Sequence, residues 1–147
     1  FLSFYTIYKL RVDNDYWFLL FITMICIFTD IGGYVFGKIF KGPKLTKFSP
    51  NKTYAGMIGG FLLSIISAII LINFYFNNVI TIKWFIFAIL ISTISQLGDI
   101  IISYFKRLSK IKDTGKIIPG HGGLLDRVDG MIFAFPFSYL ISLIGFL

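Results

Sequence analysis

Between Lys52 and Lys83 the chain runs for thirty residues without one charged side chain. A helix of about 20 mostly apolar residues crosses a bilayer, and in hydrocarbon only a helix or a closed barrel satisfies its own backbone. That run therefore reads as a membrane-spanning helix. Three more apolar stretches accompany it, giving expected spans at 16–37, 54–76, 84–105 and 130–147. The expected fold is all-α: a polytopic helical protein with about four spans and two basic cytoplasmic loops, forming one membrane-embedded domain over residues 1–147. Composition agrees, because 14% charged and 56% hydrophobic residues fall well short of the roughly 25% charged residues that keep a soluble domain wet. These values exclude a disordered chain, a secreted disulfide scaffold and an ordinary cytosolic enzyme. The single cysteine, Cys26, lies in an apolar run and reads as a small buried hydrophobe.

Charge then sets orientation. Eleven of the fourteen Lys and Arg residues fall in the loops 38–53 and 106–129, and only Lys9, Arg11 and Lys83 lie on the other side. The positive-inside rule makes both long loops cytoplasmic. All seven acids are Asp. Two of them, Asp30 and Asp99, lie inside expected spans, each roughly 10 Å below the cytoplasmic end at about 1.5 Å per helical residue. Carboxylates at that depth face a partner or a wet cavity. Asp30 begins the stretch Asp30-Ile-Gly-Gly-Tyr34-Val-Phe-Gly37, whose small residues suit close helix packing.

The second loop carries the densest chemistry. Lys106, Arg107 and Lys110 form a basic cluster at helical spacing, followed by the Gly-rich turn Pro119-Gly120-His121-Gly122-Gly123 and by Asp126 and Asp129, three residues apart. Cations beside a Gly-rich turn suit phosphate oxygens. Carboxylates in the same place repel phosphate unless a hard cation lies between, and Mg²⁺ is commonly held by one or two carboxylates plus substrate phosphates. Attraction to lipid headgroups alone explains the cations but gives no reason for the acids. In the first loop, Ser49, Lys52 and Thr53 read either as a Ser-Pro turn with a helix cap or as donors to a polyphosphate.

The ordered run from Ser103 to Asp129, Ser-x-x-Lys-Arg-x4-Lys-Asp-x-Gly-x2-Ile-Pro-x-His-Gly-Gly-x2-Asp-Arg-x-Asp, resembles the pattern of the phosphatidate cytidylyltransferase (CDP-diacylglycerol synthase) family. Gln96-Leu97-Gly98-Asp99 and Ser49-Pro50-Asn51-Lys52-Thr53 resemble its upstream motifs, with Tyr54 and Ala55 where the family often has Trp and an acid. The resemblance covers residues 30 to about 129 and is to the C-terminal catalytic half of the family, whose members usually have further N-terminal spans.

The resemblance implies transfer of a cytidylyl group from CTP to phosphatidate, giving CDP-diacylglycerol and pyrophosphate. It implies catalytic roles for Asp99, Lys106, Arg107, Lys110, Asp126 and Asp129, with Mg²⁺ on Asp99, Asp126 and Asp129 and room for a second, monovalent cation. Ser49, Lys52, Thr53, His121, Gly122, Gly123 and Arg127 would contact substrates. The roles of His121 and Asp30 stay open. Expected partners are CTP, phosphatidate and membrane lipid, with no nucleic acid and with a homodimer compatible. The expected location is the cell (inner) membrane, with the site on the cytoplasmic side. A CTP-dependent polyprenol kinase uses similar parts on a different acceptor, and a non-enzymatic alternative is an ion-coupled transporter using Asp30 and Asp99. A CDP-alcohol phosphotransferase would need an Arg after Asp129-Gly130, where Met131 to Ala134 contain none.

Overall fold

The computed structural model describes residues 1–46, 52–75, 81–111 and 125–146, apart from the side chains of residues 125–127. Among these, five helices follow one another: α1 (Leu2–Asp13), α2 (Tyr16–Phe40), α3 (Tyr54–Tyr75), α4 (Ile82–Leu108) and α5 (Leu125–Leu143). By length and hydropathy α2, α3 and α4 are able to cross a membrane, while the apolar part of α5, Val128–Leu143, is shorter. The all-α expectation holds. The fourth expected span begins earlier than residue 130 and ends at Leu143, followed by a positive φ at Gly145.

Two boundaries differ in an informative way. Helices α2 and α4 continue three residues past their expected ends at 37 and 105. Hydropathy stops where charge begins, whereas a helix continues as long as its carbonyls are paired. Lys38, Lys106 and Arg107 therefore belong to last helical turns, where cations oppose the negative end of the helix dipole.

Packing divides the bundle into two ends. At one end Phe21 of α2 stacks on Phe87 of α4 and meets Trp84 edge-on, with centroids 6.2 and 5.2 Å apart. Trp17 stacks on Tyr75 at 3.8 Å. At the other end, side chains give way to backbone. A Cβ on Gly32 would strike the carbonyl of Gly59, and one on Gly56 would lie 2.6 Å from Gly33 O. Small residues let α2 and α3 touch main chain to main chain, as the spacing around Asp30 suggested. Cys26 is fully buried.

Helix α1 was not anticipated, because its mixed charge hides any apolar period. Its partner explains it. Pro136 in the middle of α5 has no N–H to give the carbonyl of Ile132, and Ser3 Oγ of α1 donates to that carbonyl at 2.8 Å. Asn14 Nδ2, at the other end of α1, donates to Ser142 Oγ at 3.2 Å. Helices α1 and α5 thus run side by side in the same direction.

Candidate active site

The second half of α2, the start of α3, the end of α4 and the start of α5 meet at the glycine-packed end of the bundle. A cavity of about 530 Å³ lies between them. Its polar lining comprises Thr29, Asp30 and Tyr34 of α2, Lys52 and Thr53 just before α3, Gln96, Asp99 and Ser103 of α4, and Asp129 of α5.

Lys52 is placed by main-chain bonds. Leu45 N–H donates to Lys52 O at 2.7 Å and Tyr54 N–H to Pro43 O at 3.2 Å, which folds 43–45 back along 52–54. Thr53 Oγ1 then accepts the N–H of Gly56 at 3.1 Å, capping α3. So anchored, Lys52 Nζ lies 3.0 Å from Asp99 Oδ2. The other oxygen of Asp99, Oδ1, is buried and accepts no hydrogen bond from the described residues.

The facing acid comes from α5. Gly130 packs so tightly on α4 that a Cβ there would lie 2.8 Å from Asp99 Oδ1 and 2.9 Å from Ser95 O. Only a glycine permits this approach, and it brings the carboxyl of Asp129 within hydrogen-bonding reach of that of Asp99. Asp129 Oδ1 accepts the N–H of Gly130 at 3.1 Å, and Oδ2 lies 3.7 Å from Lys106 Nζ. Two neighbouring carboxyl groups, each paired with a lysine, form the centre of the site.

Among the described residues no group of three or more His, Cys, Asp or Glu side chains is arranged to hold a metal ion. The pair Asp99 and Asp129 nonetheless has the donor chemistry for Mg²⁺, which takes one or two carboxylates and leaves its other positions to water and substrate phosphate. The unpartnered Asp99 Oδ1 is the oxygen available for that task.

Of the site residues expected from sequence, Lys52, Thr53, Asp99 and Asp129 line the cavity and Lys106 reaches its edge. Arg107 and Lys110 are exposed at the end of α4. Asp126 and Arg127 lie in the first turn of α5 with side chains outside the described residues, and Ser49, His121, Gly122 and Gly123 fall outside them altogether. Asp30, whose role the sequence left open, faces the same cavity as Asp99. Their equal depth was the signal for it. Gln96 was not singled out for the site. It lines the cavity, and its Nε2 donates to Met57 O and to Ser92 Oγ, each at 3.4 Å. Its helical offset of three residues from Asp99 was the available clue. Ser103, one turn beyond Asp99, completes that face of α4.

Residues 1–144 match the family model described as the cytidylyltransferase family. A phosphatidate cytidylyltransferase of Staphylococcus saprophyticus is 38% identical over 136 residues, covering 92% of this chain and 52% of the relative. One from Rickettsia felis is 38% identical over 141 residues (90% and 61%), and one from Brucella melitensis 38% over 140 residues (92% and 51%). The chain spans about half to three fifths of the length of these relatives. With nearly the whole chain matched, this chain belongs to the cytidylyltransferase family.

Proposed function

We propose that this chain carries the site at which a phosphatidate cytidylyltransferase joins CTP to phosphatidate, releasing pyrophosphate and leaving CDP-diacylglycerol in the membrane. The observation that carries the reading is the contact between Asp99 and Asp129, flanked by Lys52 and Lys106, in a cavity at one end of membrane-length helices. The relatives named above carry that activity in their names.

In the proposed reaction an oxygen of the lipid phosphate attacks the α-phosphorus of CTP in line, and the bond to the β-phosphate oxygen breaks. A phosphate monoester loses its second proton with a pKa near about 6, so the nucleophile is largely dianionic at neutral pH and needs no general base. The obstacle is repulsion between two polyanions. Lys52 and Lys106 supply positive charge to the centre, and their ion pairs with Asp99 and Asp129 hold them there before substrate arrives. Positioning of this kind is the main contribution that a protein makes to phosphoryl transfer. Asp99 and Asp129, with Asp126 from the same turn of α5, would hold Mg²⁺, which when bound neutralises developing phosphate charge. Thr53 and Ser103 offer hydroxyl donors at the cavity wall.

We further propose that α5 completes a fourth crossing and that the site opens on the cytoplasmic side of the cell membrane, as the charge of the loops implies. The test is formation of a CDP-lipid by the full-length protein in detergent with CTP, phosphatidate and Mg²⁺. The reading is supported if product forms and Lys52→Met, still folded, loses it. It fails if Lys52→Met works as well as the native protein.

A further inference from the structure

Asp30, Tyr34 and Lys38 follow at i, i+4 and i+8 on α2 and therefore share one face. The first two line the cavity. The third, placed by sequence in a loop, is helical, and its Nζ lies 5.6 Å from the centre of the Tyr34 ring. Helical side chains lean toward the helix N-terminus, so this lysine bends back along α2 toward the cavity and not away into the loop. Tyr34 is 68% exposed, and Ile31 on the same side of α2 is 44% exposed. Met131 of α5, Ile100 of α4, Met57 of α3, Ile27 of α2 and Leu45 add to the apolar wall. Beside Asp30, this side of α2 thus runs from the apolar Ile31, through the amphipathic ring of Tyr34, to a cation at the end of the helix.

That gradient is the chemical mirror of a phosphomonoester lipid, with acyl chains against Ile31 and Met131 and a dianionic head beside an ammonium. A nucleotide offers an apolar wall only the face of its base, whereas a phospholipid offers two acyl chains. We propose that Lys38, steadied over Tyr34, captures the phosphate of the lipid substrate at the rim where the cavity meets the bilayer, apart from the charges that hold CTP. The proposal rests on the reading above, that phosphatidate is the acceptor. Lys52 lines the same cavity, so a headgroup caught at Lys38 is passed inward toward a second cation.

The experiment uses the full-length protein in nanodiscs of neutral phosphatidylcholine. Lys38→Gln should raise the KM for phosphatidate about tenfold while kcat and the KM for CTP stay unchanged, the pattern of a lost substrate contact. Lys38→Arg should restore it. Tyr34→Ala should reproduce most of the loss and Tyr34→Phe little of it, because a phenyl face still holds a cation. A rise in the KM for CTP instead would make Lys38 a nucleotide contact. Equal recovery of Lys38→Gln on adding anionic phosphatidylglycerol would reduce it to general attraction for anionic surface. Unchanged kinetics in both Lys38→Gln and Tyr34→Ala would remove the site. A photoreactive phosphatidate, applied without CTP, separates this idea from the activity. Labelling that Lys38→Gln weakens, in a native protein that forms no CDP-lipid, would keep the capture site and discard the reaction.

Discussion

Gly130→Ala tests the geometry where α5 meets α4 at the site. The added Cβ would lie 2.5 Å from Ser95 Oγ, which is able to rotate away, 2.8 Å from Asp99 Oδ1 and 2.9 Å from Ser95 O, where ordinary contact begins at 3.4 Å. Because Ser95 O is main chain, α4 and α5 must separate locally by about half an ångström. Overpacking of this kind costs roughly 1–3 kcal/mol, and the better helix propensity of alanine returns up to about 1 kcal/mol. The expected net destabilisation is modest, of order 1 kcal/mol. The effect on turnover should be larger. A misplacement of about 1 Å can cost on the order of a hundredfold, so half that shift between Asp99 and Asp129 should lower kcat about tenfold. Initial rates and thermal unfolding on the same detergent preparation give both numbers. Gly33→Ala serves as the stability control, since its Cβ meets only Gly56 O, at 3.9 Å. A Gly130→Ala protein with native turnover would refute the claim that close approach of α5 sets the carboxylate pair.

Asp99→Asn and Asp129→Asn should each reduce turnover by at least about a hundredfold with the protein still folded, and chelation should abolish native activity, as expected for charges that counter phosphate repulsion through a metal; full activity in EDTA contradicts the metal assignment. Lys106→Gln should cost at least about tenfold more in kcat/KM than Arg107→Gln, since Lys106 reaches Asp129 whereas Arg107 is exposed; a reversed order measured by steady-state kinetics would move the phosphate contact to Arg107. Ser3→Ala should destabilise the protein by about 1 kcal/mol by stranding the carbonyl of Ile132, and the same change in a Pro136→Ala background should cost little because the helix then supplies that bond. Additive losses in thermal unfolding of the double variant would contradict that link.

Much of this arrangement was legible in the sequence, and the exceptions have physical causes. The spans followed from runs without charge, and the shared depth of Asp30 and Asp99 followed from counting residues to the ends of α2 and α4. Glycines at 32, 33 and 37 announced a close helix crossing, although their partners Gly56, Gly59 and Gly60 became evident only with the fold. Helix α1 was hidden because its stability comes from contacts with α5, which no local pattern encodes. Sequence gave Lys106, Arg107 and Lys110 as one basic cluster. Helix phase separates Arg107 from Lys106, since a step of one residue turns a side chain by about 100°, while Lys110 lies past the end of α4 at a positive φ; Lys106 is the one that reaches Asp129 among the described residues. Lys38 passed unnoticed for a related reason: hydropathy ended α2 before it, so its register with Asp30 and Tyr34 was invisible.

The central claim is that the α-phosphorus of CTP is the atom attacked and a lipid phosphate the attacker. CTP labelled at the α-phosphate or at the γ-phosphate, supplied to the full-length protein with phosphatidate and Mg²⁺, tests this directly. The account predicts that only the α-label enters the lipid fraction, with one pyrophosphate released per lipid converted. Transfer of the γ-label to lipid with release of CDP would contradict it and mark the site as a kinase.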